Sequence, residues 1–395
     1  MITIYYDTQT KNWFHRDSLT TYTFGKKQQT IDYFGSNHTH LLPFHLANNE
    51  KKVGPLVAIL TGDSTNENAF LGNIRNLQRL LTSLQTKGAL GVVITPSSIN
   101  KDYMDGFVFY TPLKSWIKLK IPIPDIVYNR IPYRQIEKTD DYIETIQYLK
   151  DNDVPYFNPS FFSKWTTYEV LIKNEFLSTF LPYTSLFSGR DHLLEMLSNY
   201  QNIYIKSSTG HKGIGVYQLK VDKYAFSIQS SKINQTFQTF DQFWKEFESV
   251  FSNDKFILQE GISSDTFNSK RYDLRLLCHF QIDSYVISGI GVRVAGDQEV
   301  TTHVPNGGKI IAFNEIKNRI NINLLKMIVD EIGKTLSIET EEFIGEFSVD
   351  IGRTEADTYF IYEVNSKPMV FDEPDIKDQG LENLTKLLIM KAYTT

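Results

Sequence analysis

Three polar residues, Asp350, Glu363 and Asn365, carry oxygen ligands at a spacing that suits a metal site. They fall in two stretches, 345–352 (GEFSVDIG) and 358–368 (TYFIYEVNSKP), which flank a polar turn over 353–357 and alternate with the period of β-strands. Phe347, Val349 and Ile351 share one face of the first strand, and Phe360, Tyr362 and Val364 share one face of the second. Pairing these apolar faces fixes the parity of the register. Every unbulged register of that parity gathers Asp350, Glu363 and Asn365 on the opposite face. Two carboxylates and a carboxamide form a hard-oxygen set, suited to Mg²⁺ held by one or two carboxylates together with substrate phosphates. Carboxylates ~4 Å apart repel by about 4 kcal/mol at an effective dielectric of about 20, so the set calls for a cation. An edge hairpin with one solvated face shows the same alternation. The rest of the chain decides between the two.

The chain has 395 residues, 41% hydrophobic and 22% charged, an ordinary composition for a globular protein with room for two or three domains. Its 27 Phe and 22 Tyr favour packed sheets over disorder. A net charge of −5 argues against a nucleic-acid partner, which calls for a basic patch or stripe. A polyanionic ligand therefore needs local Lys and Arg, or a metal. The start, Met-Ile-Thr-Ile-Tyr-Tyr-Asp, lacks a signal-peptide pattern, and no stretch approaches 18 apolar residues, so neither secretion nor a membrane span is expected. The single Cys278 excludes an intrachain disulfide, reads as a small core hydrophobe, and fits a reducing cytoplasmic compartment.

The elements that must position the hairpin follow in chain order. Residues 1–50 alternate short apolar runs with polar clusters and read as a β-rich segment. Its His38, His40 and His45 lack a Cys or carboxylate at metal-ligand spacing and read as surface or packing histidines. Residues 51–150 read as a small α/β domain: an apolar strand from Leu56, a helix with Ile74, Leu77, Leu80, Leu81 and Leu84 at helical spacing, and a strand over 89–95 predict a parallel sheet. Arg130 and Arg134 follow a further strand at 125–128. From 151, Ser163-Lys164-Trp165 opens a helix, and Ser188-x-x-Asp191 reads as a capping box before a helix near Leu193–Leu197. A strand ends at Lys206 and runs into Ser207-Ser208-Thr209-Gly210-His211-Lys212-Gly213-Ile214-Gly215. This is not a P-loop, because it returns into a strand; its backbone N–H groups can form an anion nest with Lys206 beside it, or it is a plain glycine hairpin. Thr239-x-x-Gln242 caps a helix, a strand ends in Gln259-Glu260, and Arg271, Asp273 and Arg275 share a strand face.

This order resembles the ATP-grasp superfamily: a strand-end lysine before a glycine loop, a strand ending Gln-Glu, an Asp-x-Arg strand, an Asn-Gly-Gly turn and a hairpin ending Glu-x-Asn. Pro124-Asp125-Ile126-Val127-Tyr128-Asn129-Arg130-Ile131-Pro132-Tyr133-Arg134 and Phe157-Asn158-Pro159 narrow the resemblance to the endospore coat-associated, YheC/YheD-type branch. The implied fold is α+β/α/β, two α+β subdomains clasping ATP over 151–395, preceded by the 51–150 domain and the β-rich segment. The resemblance implies that Lys164 and Lys206 contact ATP, that the loop with Ser207, Gly210 and Gly213 closes over the phosphates, and that Gln259, Glu260 and Ile262 meet adenine and ribose. Asp350, Glu363 and Asn365 match the magnesium ligands, while Asp273, Arg275 and Arg293 match residues lining the phosphate and substrate side. Lys206, Arg275 and Arg293 are the expected catalytic cations. Related members carry Asn where His303 stands here, while Asn306 directly precedes Gly307. The implied reaction is ADP-forming ligation of a small-molecule or peptide carboxylate to an amine or other nucleophile, with ATP and Mg²⁺. A small-molecule kinase and a non-catalytic spore-coat protein are the rival readings.

Overall fold

The computed structural model describes residues 1–35, 40–64, 70–100, 103–210, 215–222, 225–252, 255–296, 302 and 307–394. The chain forms two compact units: Met1–Phe161 with Glu342–Gly345 and Asp378–Thr395, and Phe162–Glu341 with Glu346–Lys377.

The first unit holds two sheets. The N-terminal one has seven strands in the order Leu41–Leu46, Ile2–Asp7, Trp13–His15, Gln29–Tyr33, Tyr22–Phe24, Lys52–Val53, Asn48–Asn49, which agrees with a β-rich segment. Trp13 centres its core, with the rings of Tyr6, Phe24 and Phe44 within 5.0–5.4 Å. The exposed His45 bonds Thr3 Oγ1 through Nδ1 at 2.8 Å, a surface position, and His38 lies outside the described residues.

The other sheet corrects one expectation. Leu90–Ile94, Leu56–Leu60, Ile126–Asn129 and Tyr156–Phe157 are parallel, as the strand–helix–strand pattern implies. The sheet as a whole is mixed, because Met104–Tyr110 and Ser115–Ile121 add an antiparallel hairpin at its edge. A hairpin is local, needing no crossover helix, so the βαβ signal is blind to it. The helix Ile74–Thr86 buries Leu77, Leu80, Leu81 and Leu84, while Asn73 caps it by accepting the Asn76 N–H.

The second unit also has two sheets. The first is antiparallel throughout: Thr184–Leu186, Phe256–Glu260, Asn202–Ser207, Val216–Val221, Phe226–Gln229, Asn234–Phe237. Ile203, Ile205, Leu219, Ile228, Phe256 and Leu258 meet two helices, Arg190–Tyr200 through Leu193, Met196 and Leu197, and Phe240–Ser252 through Phe240, Phe243, Phe247 and Phe251. Strand alternation then turns Tyr204, Lys206 and Gln259 to the opposite face. The expected capping box at Ser188 does not form: the helix starts from Gly189 at φ 124°, a conformation reserved for glycine, with no side-chain cap. The Ser188 N–H goes instead to His192 Nδ1, and Asp191 pairs with Arg190. Thr239 does cap its helix, accepting the Gln242 N–H.

The other sheet runs Lys309–Ile311, Ser284–Val294, Lys270–Gln281, Glu346–Arg353, Tyr359–Asn365, with Thr266–Phe267 beside Lys270–Gln281. Leu274 and Leu276 stand opposite Ile351 and Val349, forming an apolar face. The helix Ile322–Thr340 buries Leu325, Ile328, Val329, Ile332 and Leu336 and lays Gly333 on the Tyr285 ring.

Candidate functional site

The hairpin is Glu346–Arg353 with Tyr359–Asn365, and one detail departs from the alternation. Asp350 pairs with Glu363 but Ile351 with Ile361, so Tyr362 is the extra residue of a β-bulge. The buried face of the second strand is therefore Tyr359, Ile361 and Val364, not Phe360, Tyr362 and Val364. Below the bulge the parity is as expected, and Asp350 lies opposite Glu363 while Asn365 lies opposite Ser348, all on the polar face. Among the described residues no group of three or more His, Cys, Asp and Glu is gathered to hold a metal. The oxygen set here is two carboxylates and a carboxamide, and the buried Ser348 Oγ beside it has no partner among the described residues.

The repulsion between the carboxylates is met by cations from three elements. Lys164, in the first turn of the helix Lys164–Leu171, reaches Glu363 Oε1 at 3.2 Å and the Gly210 carbonyl at 2.8 Å. Arg275, directly across from Asp350, has Nη1 3.8 Å from Asp350 Oδ1. Lys206 donates to Gln259 Oε1, whose amide in turn donates to Thr184 Oγ1 at 3.0 Å. It also lies 5.5 Å from the Tyr204 ring centroid and 6.0 Å from that of Tyr362.

Burial sets the protonation of the site. It pushes Asp350 up to about 6, which Arg275 opposes and Glu363 reinforces. It pushes Lys206 down to about 8 against the pull of Glu363. For Glu363 burial is again the largest influence, but Lys164 and Lys206 outweigh it, and the carboxyl ends below its usual range. The site thus holds one carboxyl poised near neutral pH and one firmly ionised.

The remaining expected residues are placed as follows. Ser207 ends its strand, its N–H bonding Gly215, and Gly210 donates back to Ser207 at 3.2 Å. Gly215 has φ 71° and lies so close to Ser207 that a Cβ would stand 2.9 Å from the Ser207 Cβ. Gly213, His303 and Asn306 lie outside the described residues. Glu260 Oε2 accepts the Tyr183 N–H at 3.3 Å, while Ile262 is half-buried just beyond it. Asp273 Oδ2 accepts from Thr302 Oγ1 at 2.7 Å, and Asp273 Oδ1 is buried without a partner among the described residues. Burial raises the Asp273 pKa, with Arg271 opposing. Arg293 turns its fork to Glu373 at 2.5 and 3.2 Å, which balances part of its charge.

Arg271, Tyr204, Thr302 and Glu373 belong to this constellation too: Arg271 donates to the Tyr204 hydroxyl at 2.7 Å. Arg271 is legible as a member of the Arg-x-Asp-x-Arg face; Glu373 has no signal beyond standing before a proline that opens a helix.

Residues 153–393 match the model of the family described as YheC/D like ATP-grasp. This chain belongs to that family. Endospore coat-associated protein YheD of Bacillus subtilis (strain 168) is similar, 28% identical over 352 residues that cover 85% of this chain and 77% of the relative. Two solved structures share the ATP-grasp fold. D-alanyl-alanine synthetase A from Vibrio cholerae O1 biovar eltor str. N16961 superposes with a TM-score of 0.52 at 12% identity, covering 86% of this chain and 99% of that one. The D-alanine-D-alanine ligase from Coxiella burnetii gives 0.51 at 13% identity, covering 86% and 97%. At such identity the likeness concerns the fold.

Proposed function

We propose that this protein is an ADP-forming ATP-grasp ligase that joins a carboxylate to an amine or other nucleophile. The observation that carries the reading is the convergence of Asp350, Glu363 and Asn365 with Lys164, Lys206 and Arg275 on one polar face. That face has oxygens for a cation and cations for an anion, the two needs of a nucleotide triphosphate and its metal.

The donor set fits Mg²⁺: Asp350, Glu363 and Asn365 would hold it, and when bound it supplies neutralising charge for the phosphates. Lys164 and Glu363 are already paired, so Lys164 can exchange its carboxylate for a phosphate oxygen. In the first step the substrate carboxylate oxygen attacks the γ-phosphorus and ADP leaves, giving an acylphosphate. In the second an amine attacks the acyl carbon, phosphate leaves with the bonding electrons, and the proton the amine gives up goes to the departing phosphate or to water. Lys206 and Arg275 stabilise the spread of charge by position, which is how most phosphoryl transfer is accelerated. Arg293 acts at longer range, its charge lowering the pKa of Asp350. Gln259, Glu260 and Ile262 serve adenine and ribose, and Ser207 with Gly210 and Gly213 the phosphates. We assign this chemistry to 151–395, with 1–50 and 51–150 as accessory domains. The spore-coat association in the name of the relative extends the proposal to a soluble acid or peptide substrate of that setting.

The test is thermal stability of the purified protein titrated with ATP and Mg²⁺, beside a Glu363→Ala, Asn365→Ala variant. Binding at a hundred times Kd stabilises the native state by about 2.7 kcal/mol. Wild type is expected to shift and the variant not to. If neither shifts at millimolar ATP, the ligase reading is lost. Once binding is seen, ADP release that needs both an acid and an amine separates ligation from a kinase, which needs one acceptor.

A further inference from the structure

Asp273 and Arg293 stand directly opposite each other on neighbouring antiparallel strands, where an aspartate–arginine pair would ordinarily form. Here it does not. The Arg293 guanidinium runs back along its own strand and lies over Gly291, where an added Cβ would stand 2.7 Å from both Arg293 Nη1 and Glu373 Oε1. Glu373 grips it with two bonds, Nη1 to Oε1 at 2.5 Å and Nη2 to Oε2 at 3.2 Å. Glu373 is itself anchored at the start of the helix Pro374–Thr394, its carbonyl accepting the Lys377 N–H. Phe371, 3% exposed, lies with its ring 5.8 Å from the Arg293 guanidinium and 5.5 Å from that of Arg275, which backs the clamp with an apolar plane. Asp273, without its cross-strand cation, receives one bond from Thr302, and its Oδ1 is a buried acceptor with no donor among the described residues. A buried carboxylate oxygen with no donor is costly, and it persists where a ligand supplies one.

We infer that Glu373 is a positioning residue for the second half of the reaction: by clamping Arg293 over Gly291 it keeps Asp273 Oδ1 open to accept an N–H of the incoming amine. The inference rests on the ligase reading for the identity of that donor.

Two measurements test it. In urea unfolding without ligand, Asp273→Asn and Arg293→Met are combined in the wild-type and Glu373→Gln backgrounds. In the first their effects on the unfolding equilibrium should multiply within twofold. In the second Arg293 is released to Asp273, and the pair should couple by fivefold or more. Equal coupling in both backgrounds overturns the clamp. If Glu373→Gln does not fold, Gly291→Ala displaces the same pair by steric means. The functional arm is ADP release from Mg-ATP with the carboxylate that supports ADP release in the ligation assay as the acid and hydroxylamine as the amine probe. Glu373→Gln should raise the KM for hydroxylamine at least fivefold and leave the KM for ATP within twofold, and adding Arg293→Met should restore the former. An unchanged hydroxylamine KM, or ADP release that never depends on hydroxylamine, removes the acceptor role from Asp273. Failure of the nucleotide reading shows separately, as the loss of any Mg-ATP stabilisation in wild type.

Discussion

Two ends of one sheet face bury polar groups in opposite ways. Along Lys270–Gln281 and Glu346–Arg353 the same face carries Arg275 opposite Asp350 at one end and His279 opposite Glu346 at the other. At the far end His279, fully buried, uses both ring nitrogens: Nδ1 meets Ser288 Oγ at 2.7 Å and Nε2 meets Glu346 Oε1 at 3.2 Å. Ser288 is the extra residue of a bulge between Leu277 and Cys278, which turns its hydroxyl toward the ring. At the near end a second bulge, at Tyr362, sets Glu363 and Asn365 beside Asp350, yet Asp273 Oδ1 and Ser348 Oγ find no donor or acceptor. Both bulges aim polar side chains. One closes its hydrogen bonds within the chain and so builds structure, while the other leaves polar atoms over, as the proposed nucleotide site requires.

The sharpest way to break the contrast is His279→Ala. It should destabilise the protein by about 3 kcal/mol, because a fully buried ring is removed and Glu346 and Ser288 each lose the bond to it. Urea denaturation reads this, and a loss below about 1 kcal/mol, the scale of a single ordinary hydrogen bond, would put the two ends on the same footing.

Asp350→Asn should do the reverse. With its folded pKa raised to about 6, Asp350 binds a proton in the native state that the unfolded chain has already released. Its contribution is therefore favourable below pH 4 and is lost as pH rises toward 6. Above that, the ionised group costs about 2 kcal/mol, taking two units at about 1.4 each and discounting for its partial exposure. The amide variant should be more stable by about that amount at pH 7.5, gain nothing at pH 4, and lose its response to Mg-ATP. A variant less stable than wild type at pH 7.5 would show that Arg275 already satisfies the carboxylate.

A smaller effect is expected of Thr302→Val, which strips Asp273 of its one side-chain donor among the described residues. About 1 kcal/mol of stability should be lost, and Asp273→Asn, Thr302→Val together should cost no more than the larger single change. Additive losses in denaturation would mean that Thr302 acts elsewhere.

Much of this site is legible in the residues. The alternation of 345–352 and 358–368 places three oxygen ligands on one face, because parity survives any shift of two residues. The bulge at Tyr362 is not legible, since one extra residue costs a strand little locally and its benefit comes from the neighbouring strand. That is why Phe360 and Tyr362 are read to the wrong face, while Glu363 and Asn365, beyond the bulge, are read correctly. The helices and parallel strands of the first unit are likewise local patterns, whereas its antiparallel edge hairpin carries no βαβ signal, and in the second unit the cap at Ser188 is missing because its N–H goes to His192.

The sequence by itself determined which residue types carry the chemistry and which strand face presents them, because side-chain alternation is a property of the chain alone. Only the tertiary structure decided which charges answer one another. Lys164 meets Glu363 across 199 residues of sequence, and Arg293 passes over Asp273, opposite it on the next strand, for Glu373, 80 residues on. Charges pair through space in a medium of low dielectric, and that pairing is settled only when the packed core has fixed the distances between them.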